Sequence, residues 1–498
     1  MTENAIRLMK ARYCLVGETP EAVLERVSWA LSMGDPQLRS WLVNSMTQGR
    51  FFPNSPALRS AGTKKGMLHA CFILPIEDSV HSIFRTVTNM AVIFQRGGGV
   101  GINFSPLRSK DSPLSGGGRS SGAISFMDIF DTVTEVVKQG GFRRGALMGI
   151  LNYTHPEITD FIRAKLTGRL TNFNLSVMVN DKFMEKVENG GKVTLTHGGK
   201  EHGSIKAKDI LDLVGFSAWC CGDPGILFLD RINRDNRLYP GVVIDTTNPC
   251  SEVALPPYGA CCLASLNLSH YMMKDAFLGE EFQADVSMAA RVLKNMNYLS
   301  WYPLTEIAEA MREFEPIGVG VMGFADGLIK MGVKYDSDSC LEVISEIGKA
   351  YKMGTEAVAK ECFYQRVIAP TGSLSILGDC SSGIEPVFSA NVERTLSGDI
   401  GVLVEHKALY KSDYARFAHQ ISPEWHLKVQ AKWQEQVDGG VSKTINLPND
   451  ASVDTIKSIY MQAWKLGVKG VTVFRDGCKE GTLKVVENKC EEGGVCHL

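Results

Sequence analysis

The sequence has no long apolar run, no strong net charge and no Cys-x-x-Cys pair. No stretch approaches the roughly 18 apolar residues of a membrane-spanning helix, and the first ten residues contain no apolar signal region. The formal net charge of −2 gives no basic surface for nucleic acid. These absences predict a cytoplasmic protein that contacts neither membrane nor nucleic acid.

Cysteine, by contrast, is plentiful, with 13 residues in a chain of 498. A cytoplasmic chain of this size does not need a disulfide framework, and the lack of Cys-x-x-Cys pairs argues against a structural zinc site. We therefore expect no metal site. Most of the thiols should be buried and reduced, and a subset is available for redox chemistry.

The length allows two or three domains, or one large α/β domain with additions. Residues 1–50 are predicted to be helical, because Thr19-Pro20-Glu21 combines an N-cap, a first-turn proline and an early acid. From Phe51 onward, short apolar runs alternate with glycine-rich turns. Predicted strands at Asn174–Val179 and Gly241–Asp245 flank a predicted helix at Lys208–Trp219, which indicates an α/β fold.

One stretch, Asn248-Pro249-Cys250-Ser251-Glu252, combines a carboxamide, a thiol and a carboxylate at alternate positions. If this segment is extended, Asn248, Cys250 and Glu252 lie on one face and reach a common ligand. Prolines at 249, 256 and 257 favour a stiff loop over a helix. A surface loop that merely contains a cysteine explains the spacing equally well.

Several glycine-rich segments suit phosphate contact without matching a nucleotide motif. Gly97–Gly101 and Gly116–Gly122 are not followed by Gly-Lys-Ser/Thr, so they do not form a nucleoside-triphosphatase loop. In Thr371-Gly372-Ser373-Leu374-Ser375, hydroxyls alternate around a glycine, which suits either a phosphate cradle or an ordinary serine-rich turn.

Gly318–Gly323 matches G-x-G-x-x-G and precedes a predicted helix at Phe324–Met331. Taken alone it suggests a nicotinamide oxidoreductase, or a nucleotide-binding protein without catalysis. The preceding strand is short, however, and no acid ends a second strand about 20 residues later, as a dinucleotide fold requires.

The last residues carry two thiols, Cys490 and Cys496, with His497 beside the second. The segment is polar and glycine-containing. Two thiols at such a terminus are suited to thiol–disulfide exchange, and a metal pair with His497 is the alternative.

In order along the chain, these motifs resemble the catalytic subunit of ribonucleotide reductase. The matching segments are Pro53–Pro56, the strand around Cys71, Gly97–Arg108, Gln139–Gly145, Asn248–Glu252, Cys261 with Leu266–Leu268, Gly318–Asp326 and Pro370–Pro386. The resemblance implies a ten-stranded α/β barrel of two five-stranded half-sheets around a central finger loop. The implied domains are a helical segment at 1–50, the barrel at 51–477 and a redox-active tail at 478–498.

The resemblance also implies catalytic roles. Cys250 looks like the thiyl-radical residue that abstracts the ribose 3′-hydrogen, with Glu252 as the base on the 3′-hydroxyl and Asn248 holding the hydroxyls. Cys71 and Cys261 look like the dithiol that reduces the 2′ carbon. We prefer Cys261 to its neighbour Cys262 because Cys-x-Leu leads into Leu266–Leu268.

Binding and regulatory residues follow from the same resemblance. The tail pair Cys490 and Cys496 would reduce the product disulfide again, recharged by thioredoxin or glutaredoxin. The implied ribonucleotide-binding residues are Ser55, Ala70, Thr371, Gly372, Ser373 and Ser375. The implied residues for a deoxynucleotide or ATP effector are Asp78, Ser79 and Arg108, with Gln139 and Arg143 relaying its identity to the substrate base.

The resemblance further implies a homodimer, with the amphipathic helix Ser125–Val137 as its interface; a plain core helix explains the same stripe. About fifty residues precede the barrel, too few for the family's ATP-binding cone plus an adaptor. We therefore expect no overall-activity switch by dATP.

Missing motifs indicate the source of the radical. Val471-Thr472-Val473-Phe474 has no tyrosine where the oxygen-dependent class has a pair, and no Arg-x-x-Gly-Tyr glycyl-radical motif occurs. The chain therefore looks like the adenosylcobalamin-dependent class. The alternative is a class I catalytic subunit that needs a separate radical-generating subunit. No Asp-x-His-x-x-Gly motif is present, so no cobalamin ligand is assigned.

Overall fold

The computed structural model describes residues 1–137, 145–396, 401–479 and 483–485. Four of the predicted functional residues, Gln139, Arg143, Cys490 and Cys496, lie outside the described residues. Among the described residues no helix is both long and apolar enough to cross a membrane. The eleven cysteines of the described part are all free thiols.

The chain begins with three helices, α1 (Glu3–Arg12), α2 (Pro20–Leu31) and α3 (Pro36–Thr47). The N-terminus of α2 is the predicted one, because Thr19 accepts a hydrogen bond from the N–H of Ala22 and Pro20 occupies the first turn. Its apolar stripe is buried. The prediction of a helical N-terminal segment is confirmed.

The strands that follow differ in partner and direction. They are β1 (Phe51–Pro53), β2 (Cys71–Ile73), β3 (Gly99–Asn103), β4 (Leu147–Asn152), β5 (Phe173–Val179), β6 (Lys192–His197), β7 (Lys200–Lys206), β8 (Gly225–Phe228), β9 (Leu263–Asn267), β10 (Met272–Met273), β11 (Ala276–Phe277), β12 (Gly318–Met322), β13 (Asn391–Leu396), β14 (Gly401–His406), β15 (Thr444–Leu447), β16 (Gly470–Arg475) and β17 (Leu483–Val485). The seven-stranded sheet has the order β15-β16-β8-β5-β4-β3-β2, and a three-stranded sheet has the order β1-β9-β12.

These two sheets contain two parallel half-sheets of five strands each. The first is β2-β3-β4-β5-β8. The second has the order β16, β15, the extended residues 366–368, β12 and β9. Residues 366–368 act as its middle strand, because they pair in parallel with Val319 on one side and with Val441 on the other. The halves meet antiparallel where β16 pairs with β8 and where Phe72 pairs with Ala260. The prediction of a ten-stranded α/β barrel of two half-sheets is confirmed.

Helices cover the outside of this barrel. After α3 they are α4 (Ser55–Ser60), α5 (Val80–Gln95), α6 (Ala123–Val136), α7 (Ile158–Arg163), α8 (Asp181–Glu188), α9 (Ala207–Cys221), α10 (Leu229–Arg234), α11 (Gly279–Leu299), α12 (Thr305–Phe314), α13 (Phe324–Met331), α14 (Asp338–Ala359), α15 (Leu374–Leu377), α16 (Pro423–Gln434) and α17 (Val453–Lys465). Side chains alternate along each strand. One set packs with the helices in two large apolar clusters, and the other set meets in a smaller cluster inside the barrel.

The predicted strand at Gly241–Asp245 is wrong. The structure has a turn followed by irregular chain there. The carboxamide of Asn233 accepts from the N–H of Ile244 and donates to its carbonyl oxygen, both at 2.9 Å. A side chain thus supplies the hydrogen bonds that a neighbouring strand would provide, and Ile244 is buried while Val242 and Val243 stay exposed.

The G-x-G-x-x-G glycines have packing roles in the barrel. A Cβ on Gly318 would overlap the side chain of Leu263, and one on Gly320 would lie 2.8 Å from the carbonyl oxygen of Val367. Gly323 has φ +70° and begins α13, where a Cβ would overlap Asn267. Close strand packing and a left-handed turn therefore explain the motif, and the geometry gives no support to a nicotinamide site.

Candidate active site

The segment around Cys250 is a tight loop held inside the barrel. Thr247 pairs with Ala254 in an antiparallel bridge, and Ser251 donates its N–H to the carbonyl oxygen of Asn248 at 3.0 Å with φ +65°. The segment is therefore a turn within a loop, as its prolines favour, and the alternative of a fully extended stretch does not apply. A left-handed residue at 251 reverses the chain, which a spacing argument cannot detect.

Both half-sheets hold this loop. From the first, Asn174 of β5 donates its Nδ2 hydrogen to the carbonyl oxygen of Pro249 at 2.8 Å. A Cβ on Gly101 of β3 would overlap the carbonyl oxygen of Thr247. On the side of the second half-sheet, Gly440 donates its N–H to the carbonyl oxygen of Glu252 at 2.6 Å. The loop thus lies between the two halves of the barrel.

Two thiols meet beside the loop. Cys71 and Cys261 lie on neighbouring extended segments, where the N–H of Cys261 donates to the carbonyl oxygen of Cys71 at 2.8 Å. Their side chains are buried and hydrogen-bonded to each other, and both residues are free thiols. Burial first, and then the hydrogen bond to Cys71, raise the pKa of Cys261 well above its usual value. Cys261 is therefore protonated at neutral pH.

The neighbouring thiol, Cys262, lies on the opposite face of the chain, as alternation along an extended segment requires. Its Sγ donates to the carbonyl oxygen of Leu293 of α11 at 3.3 Å. It belongs to the helix-packed cluster, whereas Cys261 belongs to the cluster inside the barrel. The structure thus brings Cys261, and not Cys262, beside Cys71.

Asn248 and Glu252 are almost fully buried next to this pair. The Oδ1 atom of Asn248 accepts from the N–H of Val253 at 3.0 Å, which fixes the carboxamide. Its buried Nδ2 has no hydrogen-bond partner among the described residues, so it is available to a hydroxyl of a bound molecule. Both Glu252 and Cys250 interact electrostatically with Cys261. The loop therefore places a carboxamide, a carboxylate and three thiols in one region.

Cys250 is partly exposed and borders a small cavity of about 20 Å³. The cavity is lined by Ser176, Ile226, Ser251, Val441, Ser442, Lys443, Gly470, Val471 and Thr472. A volume of this size holds about one water molecule. Thr472 of β16, which lines the cavity, is exposed.

A buried ion pair supports the cavity wall, and sequence reasoning missed it. The Lys443 side chain is fully buried, with Nζ 2.7 Å from Glu385 Oε2. The other oxygen, Glu385 Oε1, accepts from the N–H of Thr444 at 2.7 Å. Burial lowers the pKa of Lys443. The pair joins β15 to the Gly383–Pro386 turn, and no local pattern marks two partners so far apart in sequence.

The predicted substrate residues fall into two groups. Ser55 and Ser373 both contact the end of α1, through Tyr13 and Arg12 respectively, at 3.0 Å each. The remaining residues make local contacts. Thr371 Oγ1 accepts from the N–H of Gly383 at 2.7 Å, and Ser375 Oγ lies 2.9 Å from Ser382 Oγ. Gly372 is exposed in the turn, and the backbone of Ala70 is hydrogen-bonded to Gly99 and Cys261. Sequence reasoning missed Arg12 and Tyr13.

The predicted effector residues lie on the outer side of the first half-sheet. Arg108 Nε is 2.8 Å from Asp78 Oδ2, and the N–H of Arg108 donates to Asp78 Oδ1 at 3.1 Å. Ser79 is the N-cap of α5 and accepts from the N–H of Ser82. Asp78 also borders an open cavity of about 680 Å³ that reaches His197 and Glu201 of the β6–β7 hairpin. Of the three predicted effector residues, Asp78 is the one that lines this cavity.

Comparisons with known proteins agree with this arrangement. A family model described as the ribonucleotide reductase barrel domain matches residues 69–362 and 400–474, and one described as the ribonucleotide reductase all-alpha domain matches residues 1–66. A vitamin B12-dependent ribonucleoside-diphosphate reductase of Thermoplasma acidophilum is 40% identical over 497 residues, covering 88% of this chain and 64% of the relative.

Two further relatives have similar descriptions. A vitamin B12-dependent ribonucleoside-diphosphate reductase of Mycobacterium tuberculosis is 34% identical, covering 96% of this chain and 80% of the relative. A vitamin B12-dependent ribonucleotide reductase of Streptomyces avermitilis is 28% identical, covering 86% of this chain and 58% of the relative. The chain therefore spans between about three fifths and four fifths of the length of these relatives.

Proposed function

The chain belongs to the ribonucleotide reductase family, and we propose that it reduces ribonucleotides to 2′-deoxyribonucleotides by thiyl-radical chemistry. One observation supports this most strongly: a loop inside the barrel brings Cys250 beside the reduced, hydrogen-bonded pair Cys71 and Cys261. A radical-forming thiol and a separate dithiol at one site have little use in a protein that only binds nucleotides.

In this proposal each residue has a separate task. Cys250 takes the 3′-hydrogen atom of the ribose as a thiyl radical and later returns it. Glu252 accepts the proton of the 3′-hydroxyl, and the Nδ2 group of Asn248 donates to a ribose hydroxyl. Asn248 and Glu252 are buried away from water, which strengthens their polar interactions.

Cys71 and Cys261 supply the reducing electrons. The 2′ carbon–oxygen bond breaks and the hydroxyl leaves as water, while a hydrogen takes its place. The two thiols lose their hydrogens and form one disulfide, so two electrons and two protons pass to the nucleotide. Because burial raises the pKa of Cys261, the thiol keeps its proton until the reaction uses it.

We propose adenosylcobalamin as the cofactor, as in the relatives that are named for vitamin B12. When bound, it would supply a radical by homolysis of its cobalt–carbon bond. Polar side chains on these strands fit such a group, because they are at least partly exposed: Ser442, Thr444 and Asn446 on or just before β15, and Thr472 on β16. The apolar residues next to them are buried in the helix-packed cluster. These hydroxyl and amide groups would hold amide side chains and a ribose beside Cys250.

We further propose that Cys490 and Cys496 form the dithiol that reduces the Cys71–Cys261 disulfide again. Such exchange requires a thiolate that reaches a buried disulfide. Thioredoxin or glutaredoxin would then recharge the tail. We likewise propose the division of the chain into a helical segment at 1–50, the barrel at 51–477 and the tail at 478–498, and a cytoplasmic location, where these thiols stay reduced.

Regulation is also a proposal. Asp78, Ser79 and Arg108 would hold a deoxynucleotide or ATP effector, and Gln139 and Arg143 would relay its identity to the substrate base. A homodimer would form through α5 and α6, which pack together and expose Val80, Phe84 and Val136 by 65%, 49% and 72%. Large apolar side chains exposed on two adjacent helices suit an interface.

A direct assay tests this function. The purified chain is incubated with adenosylcobalamin, a small dithiol and each ribonucleoside diphosphate and triphosphate, and deoxynucleotide is measured. We expect product from the parent chain and none from Cys250→Ala. A Cys262→Ser chain is the matched control and should retain activity. Product from the Cys250→Ala chain would contradict the proposal.

A further inference from the structure

The end of α1 contacts two of the three serines, Ser55 and Ser373, that the family resemblance implies as ribonucleotide-binding residues. Arg12 Nη1 donates to Ser373 Oγ at 3.0 Å. Tyr13 OH lies 3.0 Å from Ser55 Oγ. Two adjacent residues of the N-terminal helical segment therefore each contact a hydroxyl from a distant part of the chain.

A guanidinium at this place matches the chemistry of a phosphate. Arginine carries a permanent charge and a planar set of donors that pairs well with phosphate oxygens. Arg12, Ser55 and Ser373 are all partly exposed. A Cβ built on Gly372 would meet no heavy atom within 4 Å among the described residues. The turn beside Ser373 is thus open at Gly372.

The surroundings hold this arrangement in place. Arg59 Nη1 donates to the carbonyl oxygens of Arg12 and Cys14, both at 3.0 Å, which fixes the end of α1. In the turn, Thr371 has φ +52° and its Oγ1 accepts from the N–H of Gly383 at 2.7 Å. Preorganised donors lose little freedom on binding, which favours affinity.

We propose that Arg12 binds the terminal phosphate of the ribonucleotide substrate, with Ser55 and Ser373 as neutral donors beside it. This inference rests on the proposed function and adds to it a cationic, specificity-determining residue from the helical segment. On binding, the guanidinium shares its hydrogens between Ser373 and a phosphate oxygen. The contribution of Arg12 therefore grows with the number of phosphates on the nucleoside.

Calorimetric titration of the full chain, without cobalamin, tests this role. The ligands are cytidine, cytidine monophosphate and cytidine diphosphate. In Arg12→Gln we expect the Kd of the diphosphate to rise about tenfold or more, the size of one charge-assisted hydrogen bond, and the Kd of cytidine to stay unchanged. Added salt should weaken diphosphate binding less in Arg12→Gln than in the parent chain.

The matched control is Arg39→Gln, which removes an exposed arginine of the same helical segment, paired with Glu25; it should bind the diphosphate like the parent. If Arg12 only joins α1 to the turn, Arg12→Gln will either weaken the binding of cytidine and of the diphosphate by the same factor or leave both unchanged. Each of these results overturns the inference. Failure of the parent chain to bind any of these ligands would overturn the proposed function, and the inference with it.

Discussion

At the scale of single residues, burial decides the protonation states in the barrel and at its edge. His69 is fully buried, with Nδ1 3.0 Å from Ser300 Oγ and Nε2 2.9 Å from Asn297 Oδ1. Desolvation lowers the pKa of His69 to about 4. Desolvation also raises the pKa of Cys261. Both groups therefore stay in their neutral forms.

This state of His69 predicts acid sensitivity. The unfolded chain binds a proton at His69 near pH 6.5, whereas the folded chain does so only near pH 4. Stability from this residue is therefore complete above pH 6.5 and is lost as the pH falls toward 4, by about 3 kcal/mol. Urea unfolding between pH 7.5 and 4 measures this loss. In His69→Gln the free energy of unfolding should fall less steeply as the pH is lowered. An equal dependence on pH in both chains would contradict the assignment.

At the scale of elements, the loop around Cys250 depends on small residues in the strands that hold it. Gly101 of β3 leaves no space for a Cβ, because the carbonyl oxygen of Thr247 occupies that position. Gly99 of the same strand would place a Cβ 3.2 Å from both Cys71 Sγ and Pro249 Cγ. The strand backbone itself therefore forms one wall of the site.

Gly101→Ala should displace this loop. We expect a loss of unfolding free energy of about 2 kcal/mol, as for other overpacked positions, together with loss of reductase activity. Gly116→Ala is the matched control, since a Cβ there meets no atom within 4 Å in the described part of the chain. Denaturant unfolding and the activity assay check both variants. Equal behaviour of the two chains would contradict this view of the loop.

Elements with local signals were predictable from the sequence, and those that depend on distant partners were not. The start of α2 follows from Thr19 and Pro20 alone. The Gly241–Asp245 segment failed as a strand because Asn233 takes its backbone hydrogen bonds. The loop around Cys250 follows from its prolines, but its turn does not, since the turn depends on a left-handed Ser251.

The same limit applies to contacts between distant segments. The buried pair Lys443 and Glu385 leaves no pattern in the sequence, because each partner is ordinary in its own neighbourhood. The contact of Arg12 with Ser373 joins the helical segment to a turn far along the chain. Both become visible only when the barrel brings the segments together.

At the scale of the whole molecule, the proposed dimer connects the effector pocket to the barrel. The helix α5 begins at the residue after Ser79, next to Asp78, and packs on α6. An effector at Asp78 would therefore lie beside the interface. Exposed apolar side chains on both helices then have a function that a monomer does not give them.

Phe84→Glu should disrupt this dimer, because a charge would be buried without a partner. Sedimentation velocity at micromolar concentration should show a dimer for the parent chain and a monomer for the variant. Val16→Glu, at an exposed apolar position outside both helices, should remain dimeric. A monomeric parent chain, or a dimeric Phe84→Glu chain, would contradict this interface.

The central claim is that Cys71 and Cys261 reduce the nucleotide after Cys250 starts the reaction. The most direct test is a single turnover of a prereduced Cys490→Ser, Cys496→Ser chain with adenosylcobalamin and ribonucleotide, in the absence of added dithiol. Peptide mass mapping should find one Cys71–Cys261 disulfide for each deoxynucleotide formed, with Cys262 still reduced and turnover stopped after one product. Deoxynucleotide formed without that disulfide, or with a Cys71–Cys262 disulfide, would contradict the claim.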